Sequence, residues 1–192
     1  MNLPASLRPE VNRLFEQMDH AYSAAARTFG FVCRGCRNNC CLTRFHHHTL
    51  LEYLYLQHGL SKLVPGRLGD TKKRAQKALD RMTELEQRGD PMRVMCPLNE
   101  DDRCMLYAYR PMICRLHGIP HVLRRPDGRS QSGPGCDDFY AQCGNSEGRV
   151  LDRTPIYIAM ADLERKLRQA LGFDRKIRMT IADIIVDDGV KS

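Results

Sequence analysis

The sequence predicts a mainly α-helical protein carrying a small irregular or β cysteine-rich metal-binding lobe, with an α+β arrangement as the alternative. Three observations lead there. Apolar residues recur at three- and four-residue intervals in several long stretches, the signature of helices with one buried face. Between Met92 and about Cys143 the texture changes to turn residues and short extended runs. All nine cysteines fall between Cys33 and Cys143. At 192 residues the chain suffices for a single domain over 1–192, with a cysteine-cluster region over 33–143 and helical flanks over 1–30 and 154–192.

The first helix is marked by Val11, Leu14, Phe15, Met18, Tyr22, Ala25 and Phe29 on one stripe. Ser6 suits its cap, Pro9 its first turn and Gly30 its stop. A second helix is expected from about Thr43 or His46 to His58, with Leu50, Leu51, Leu54 and Tyr55 inward and Gly59 as terminator. A third, more charged helix spans about Arg67 to Arg88 along Leu68, Ala75, Ala78, Leu79, Met82 and Leu85. MRVMCPL reads as a strand, and HGIPHVLRRPDGRS as a hairpin turning at Pro126-Asp127-Gly128. Thr154-Pro155 opens a last long helix. The tail KIRMTIADIIVDDGVKS is compatible with a short helix or an edge strand.

Composition narrows the classes of function. Hydrophobic and charged contents of 42% and 28% are those of an ordinary globular protein. No run of 18 apolar residues is present, so no membrane partner is expected. The N-terminal segment acquires charge at once and has no apolar signal region, so the expected location is cytoplasmic. There, reducing systems disfavour a disulfide framework, and an odd number of cysteines argues the same way. The net charge of +7 raises a nucleic-acid partner. The basic residues are scattered along solvated helix faces without a recognition motif, so that partner is disfavoured. The sequence leaves room for a protein partner it does not identify.

Metal binding is therefore the leading reading of the cysteines. CRGCRNNCC places Cys33, Cys36, Cys40 and Cys41 within nine residues, separated by residues too polar for a buried core segment. Cys96, Cys104, Cys114 and Cys136 follow downstream, then Cys143. Thiolates are soft donors that select zinc, copper(I) or iron–sulfur clusters over magnesium or calcium. Adjacent Cys40 and Cys41 diverge in most backbone conformations, which suits a multinuclear or two-centre site better than one tetrahedral zinc. The ligand set read from the chain is Cys33, Cys36, Cys40, Cys41, Cys96, Cys104 and Cys114, with Cys136 as the eighth. Its cofactor is zinc or iron, with a [4Fe-4S] cluster among the forms of iron.

CRGCRNNCC, followed by CPLNEDDRCMLYAYRPMICRLHG, resembles the YkgJ-type cysteine-cluster family of zinc- or iron-chelating domains. The downstream signature falls on Cys104, Leu106, Tyr107, Arg110, Pro111, Cys114 and Arg115. The upstream knot departs from the family pattern, since three residues rather than two separate Cys36 from Cys40. The resemblance implies chelation of zinc or iron. More distantly it is similar to flagellin lysine-N-methylases, which implies as an alternative an iron–sulfur-dependent protein lysine methylase-like enzyme. A basic nucleic-acid-binding zinc protein is the remaining alternative.

Other residues invite supporting roles. His46, His47 and His48 are read mainly as lining the start of a helix, and His117 as a better ligand candidate than His121, though below the thiols. Arg110 and Arg115 would offset thiolate charge or be pinned by a carboxylate. Tyr107 is expected in the core or with its hydroxyl supporting a sulfur or carbonyl. Asp101-Asp102 and Asp137-Asp138 read as turn residues. No nucleophile elbow, phosphate loop or HExxH motif is present, and no catalytic residue is assigned.

Overall fold

The computed structural model describes residues 1–33, 40–145 and 148–187. It is mainly helical with two small sheets, as the apolar periodicity predicts. The chain divides into two compact units, one of Met1–Pro4, Asn39–Pro111 and Leu171–Ser192, the other of Ala5–Asn38 and Met112–Ala170.

The first unit is built on α2 (Leu50–Leu60), α3 (Pro65–Arg88) and α7 (Ile181–Val186), with α7 packed on both of the others. Helix α2 starts later than the sequence predicts. Thr49 caps it by accepting from the Glu52 amide, while His47 is drawn into backbone pairing with Met179 just before. Leu50, Leu51, Leu54 and Leu56 are all essentially inaccessible, so α2 is apolar around most of its circumference rather than along one stripe. Ala75, Ala78 and Leu85 of α3 meet that core. Thr180 and Asp183 close α7 with a reciprocal capping box, and the tail is thus a short helix, not a strand.

MRVMCPL is not a strand. Its only ladder contact among the described residues is the isolated bridge between Arg93 and Thr43, and the Cys96 amide instead donates to the Cys41 carbonyl at 2.8 Å. The strands that do form are β1 (Asn99–Glu100) and β2 (Arg103–Cys104), a two-residue hairpin. Asp101 and Asp102 make its turn at φ 48° and 61°, values that aspartate tolerates better than most residues. A 3-10 turn, Tyr107–Tyr109, follows.

The second unit contains α1 (Arg8–Phe29), α4 (Met112–Leu116), β3 (His121–Arg124), β4 (Ser130–Gly133), α5 (Asp137–Cys143), β5 (Leu151–Asp152) and α6 (Thr154–Leu171). Ser6 does not cap α1: the N-cap is Leu7, with no side-chain bond, and the helix relies on Pro9 in its first turn. Gly30 ends it at φ 71°, its amide and that of Phe31 returning to Arg27 and Ala26. The expected hairpin is present, with His121 opposite Gly133 and Arg124 opposite Ser130. Strand β5 joins β3 in parallel, His121 beside Leu151 and Val122 beside Asp152. Helices α4 and α5 occupy stretches the sequence reads as irregular. Phe31, Ile119 and Phe139 form a buried cluster, with Phe29 and Phe139 edge to face at 5.1 Å.

Candidate metal centre

None of the eight described cysteines is in a disulfide; Cys36 lies outside the described residues. Four thiols belong to the first unit. Cys40 and Cys41 sit in a 3-10 turn, Cys40–Leu42, and the Cys96-to-Cys41 backbone bond seats the second cysteine segment directly against it. Cys104 is brought alongside by β-pairing with Asn99, three residues past Cys96. Spacing alone separates these residues by more than fifty positions; the fold makes them neighbours.

The electrostatics of this quartet are polarised. The Cys41 thiol is lowered to about 6, first by a hydrogen bond from Cys40, further by Asn99 and by the Arg110 charge, against the opposing effects of burial and Asp102. Cys96 is pushed up to about 12, chiefly by burial and then by the neighbouring Cys41 and Cys104. At neutral pH one thiolate is thus stabilised beside one buried thiol whose proton must leave before it can ligate. Arg110 has the charge-offsetting role expected of it. It also stacks 3.5 Å over the Tyr107 ring and donates to the Tyr107 carbonyl. Tyr107 itself is 63% exposed, which excludes the core position that is one of its two expected placements.

These residues fit a thiophilic metal by chemistry. The Asn99 amide nitrogen is buried and short of a full hydrogen bond, yet it leans on the Cys41 sulfur, where a metal-bound thiolate or sulfide would accept it. By position they stop short: among the described residues no three His, Cys, Asp or Glu side chains are arranged as a metal-ligand group.

The other candidates lie in the second unit. Cys33 is exposed, next to Val32, whose backbone is held from both sides by the Gln142 amide. Cys136 caps α5, its sulfur accepting from the Phe139 amide at 3.4 Å. Cys114 is half-buried on α4, and Cys143 packs against the Phe31–Ile119–Phe139 cluster as a small apolar residue. Arg115 is buried, ion-paired to Asp19 at 2.5 Å and placed over the Phe15 ring, so it is the carboxylate-pinned arginine of the two. Asp137 and Asp138 sit in the first turn of α5, where carboxylates complement the helix end.

The histidines divide similarly. His47 is buried at 2% exposure with neither ring nitrogen hydrogen-bonded and Nδ1 3.7 Å from Glu52, so it does line the start of α2. His46 is lowered by burial and then by Arg178 and Arg44. His117 is lowered by burial and by Arg153. Sequence reasoning missed Asn99 and Arg153. Neither carries a motif, and both acquire significance only from burial. No family model, curated protein or solved structure matches the chain.

Proposed function

We propose that the chain chelates zinc or iron, the latter including an iron–sulfur cluster, through its cysteines, with Cys40, Cys41, Cys96 and Cys104 supplying the ligands of the first unit. One observation carries the reading: two segments far apart in sequence meet by a backbone hydrogen bond that brings Cys41 beside Cys96, with Cys104 close by and the Cys41 sulfur already favoured as thiolate. When bound, the metal supplies a cationic centre that holds the thiolates together and offsets their charge. The chain's own part is to stabilise the Cys41 thiolate through Cys40 and Arg110, to offer the Asn99 donor, and to release the Cys96 proton on binding. In the second unit the proposed donors are Cys33, Cys114 and Cys136, with Cys36 outside the described residues.

The surface charge supports this reading over nucleic-acid binding. Arg67 and Arg74 are committed to Glu100, Lys73 to Asp70, Arg81 to Glu84 and Arg165 to Asp162. No described helix is long and apolar enough to cross a membrane. A set of reduced thiols suits the cytoplasm, and we place the protein there.

The experiment is a comparison of single variants. Cys41→Ser and Cys96→Ser should each retain less metal than the parent after gel filtration, while Cys143→Ala, which alters only apolar packing, should retain the parental amount. Equal retention in all three would overturn the assignment.

A further inference from the structure

The second unit buries a cation that no carboxylate of the described residues neutralises. Arg153 is 2% exposed and stands at the junction of β5 and α6, its amide donating to Val122 and its carbonyl accepting from Tyr157. Its guanidinium donates to the carbonyl of Leu116, the last residue of α4, Tyr157 follows one turn further along α6, and Nε has no partner. Among the described residues none of the ion pairs includes Arg153. Adjacent Asp152 is taken by Arg124 and Thr154, and Asp19 by Arg115. A buried charge left uncompensated is strongly destabilising, so such groups are ordinarily paired or coordinate something.

What surrounds Arg153 is a set of donors and neutral rings. Its charge reaches both His117 and His121. His121 packs against Gly133 across the hairpin, where a Cβ would come within 2.2 Å of its ring, and its Nδ1 is buried with no hydrogen-bond partner. His117, His121 and Tyr157 are half-buried, so solvent reaches part of each while the guanidinium is covered. Burial and the Arg153 charge keep His121 neutral, outweighing a backbone contact at Ile119 that works the other way. A planar guanidinium with an uncommitted N–H, flanked by imidazole and phenol, is the group arrangement that recognises planar or tetrahedral oxyanions.

We propose that Arg153, His117, His121 and Tyr157 form a binding site for a small oxyanion, a phosphate or carboxylate group. The proposal stands apart from the cysteine reading, since none of its four residues is among the proposed ligands. A guanidinium that only caps the α4 carbonyl would take no anion.

The test follows the imidazole carbon-bound proton resonances of His117 and His121 in the full-length protein. Inorganic phosphate is titrated at fixed pH and ionic strength, with acetate in a parallel series. A saturable shift of both histidines in the millimolar range is expected, and whichever anion saturates first identifies the chemistry. Arg153→Lys should weaken that affinity about tenfold by losing the uncommitted Nε–H. Tyr157→Phe and His121→Gln, at half-buried positions, should weaken it several-fold and cover the case in which the Arg153 variant fails to fold. Absence of a saturable shift with both anions overturns the proposal. So does an affinity unchanged in the Tyr157→Phe and His121→Gln variants.

Discussion

Alanine at Gly59 tests how firmly the segment bearing Arg110 is seated against α2. A Cβ at this position would stand 2.6 Å from Tyr109 Cγ and 2.7 Å from its Cβ and Cδ2. Non-bonded carbons settle at about 3.5–4.0 Å, so the root of the tyrosine must retreat by roughly 1 Å. Rotation of the ring cannot relieve a clash with Cβ and Cγ. The ring is also bracketed by Tyr55 and His58, with centroids at 5.3 and 5.8 Å. Overpacking of this kind costs about 1–3 kcal/mol, and the near-backbone position of the clash puts it in the upper part of that range. Against it, glycine to alanine in a helix gains at most about 1 kcal/mol, less in a final turn. The net expectation is a loss of about 1–2 kcal/mol in urea unfolding followed by circular dichroism. A double-mutant cycle gives the sharper answer. In a Tyr109→Gly background the Cβ, Cγ and Cδ2 contacts are all gone, and Gly59→Ala should become neutral or stabilising by up to about 1 kcal/mol. The same destabilisation in both backgrounds, or a gain in the parent, would refute the reasoning.

Three further outcomes follow from other parts of the molecule. Phe139→Leu, at a fully buried ring touching Phe29 and Phe31 edge to face, should cost about 1–2 kcal/mol, and Phe139→Ala about 3–5, read from denaturant midpoints. Thr180→Ala removes the side-chain half of the α7 capping box, leaving the residue-180 amide on the Asp183 carboxylate, and should cost about 1 kcal/mol in thermal unfolding. In chelator-treated protein, alkylation of Cys41 should rise with pH through about 6 and level off above it, because its thiolate is already formed there. Cys96, whose thiol is held at about 12, should stay unreactive across the same range, and mass spectrometry of digests distinguishes the two.

The long amphipathic helices were legible in the sequence because their signal is local. The stripe through Val11, Leu14, Phe15 and Met18 is the buried face of α1, and Ala75, Ala78 and Leu85 are that of α3. Helix α2 was misread at its start for a physical reason: it is buried on nearly all sides, so it shows no face, and His47 is captured by Met179 from beyond residue 170. Helices α4 and α5, of five and seven residues, are too short to show a period. Cys136 reads as a thiol ligand in the sequence, and no local rule reveals that its sulfur caps α5. The cysteine clusters were visible as chemistry, but the meeting of Cys41 with Cys96 depends on one backbone hydrogen bond that residue spacing does not encode. Arg153 illustrates the same limit, since its lack of an ion pair among the described residues is a property of the fold alone.

The central claim, that the cysteines hold a metal, is tested most directly by anaerobic purification of the full chain followed by metal and acid-labile sulfide analysis with an absorption spectrum. The account predicts stoichiometric zinc, or iron with or without sulfide, and loss of most of it in Cys41→Ser. A folded parent protein containing neither metal would contradict it.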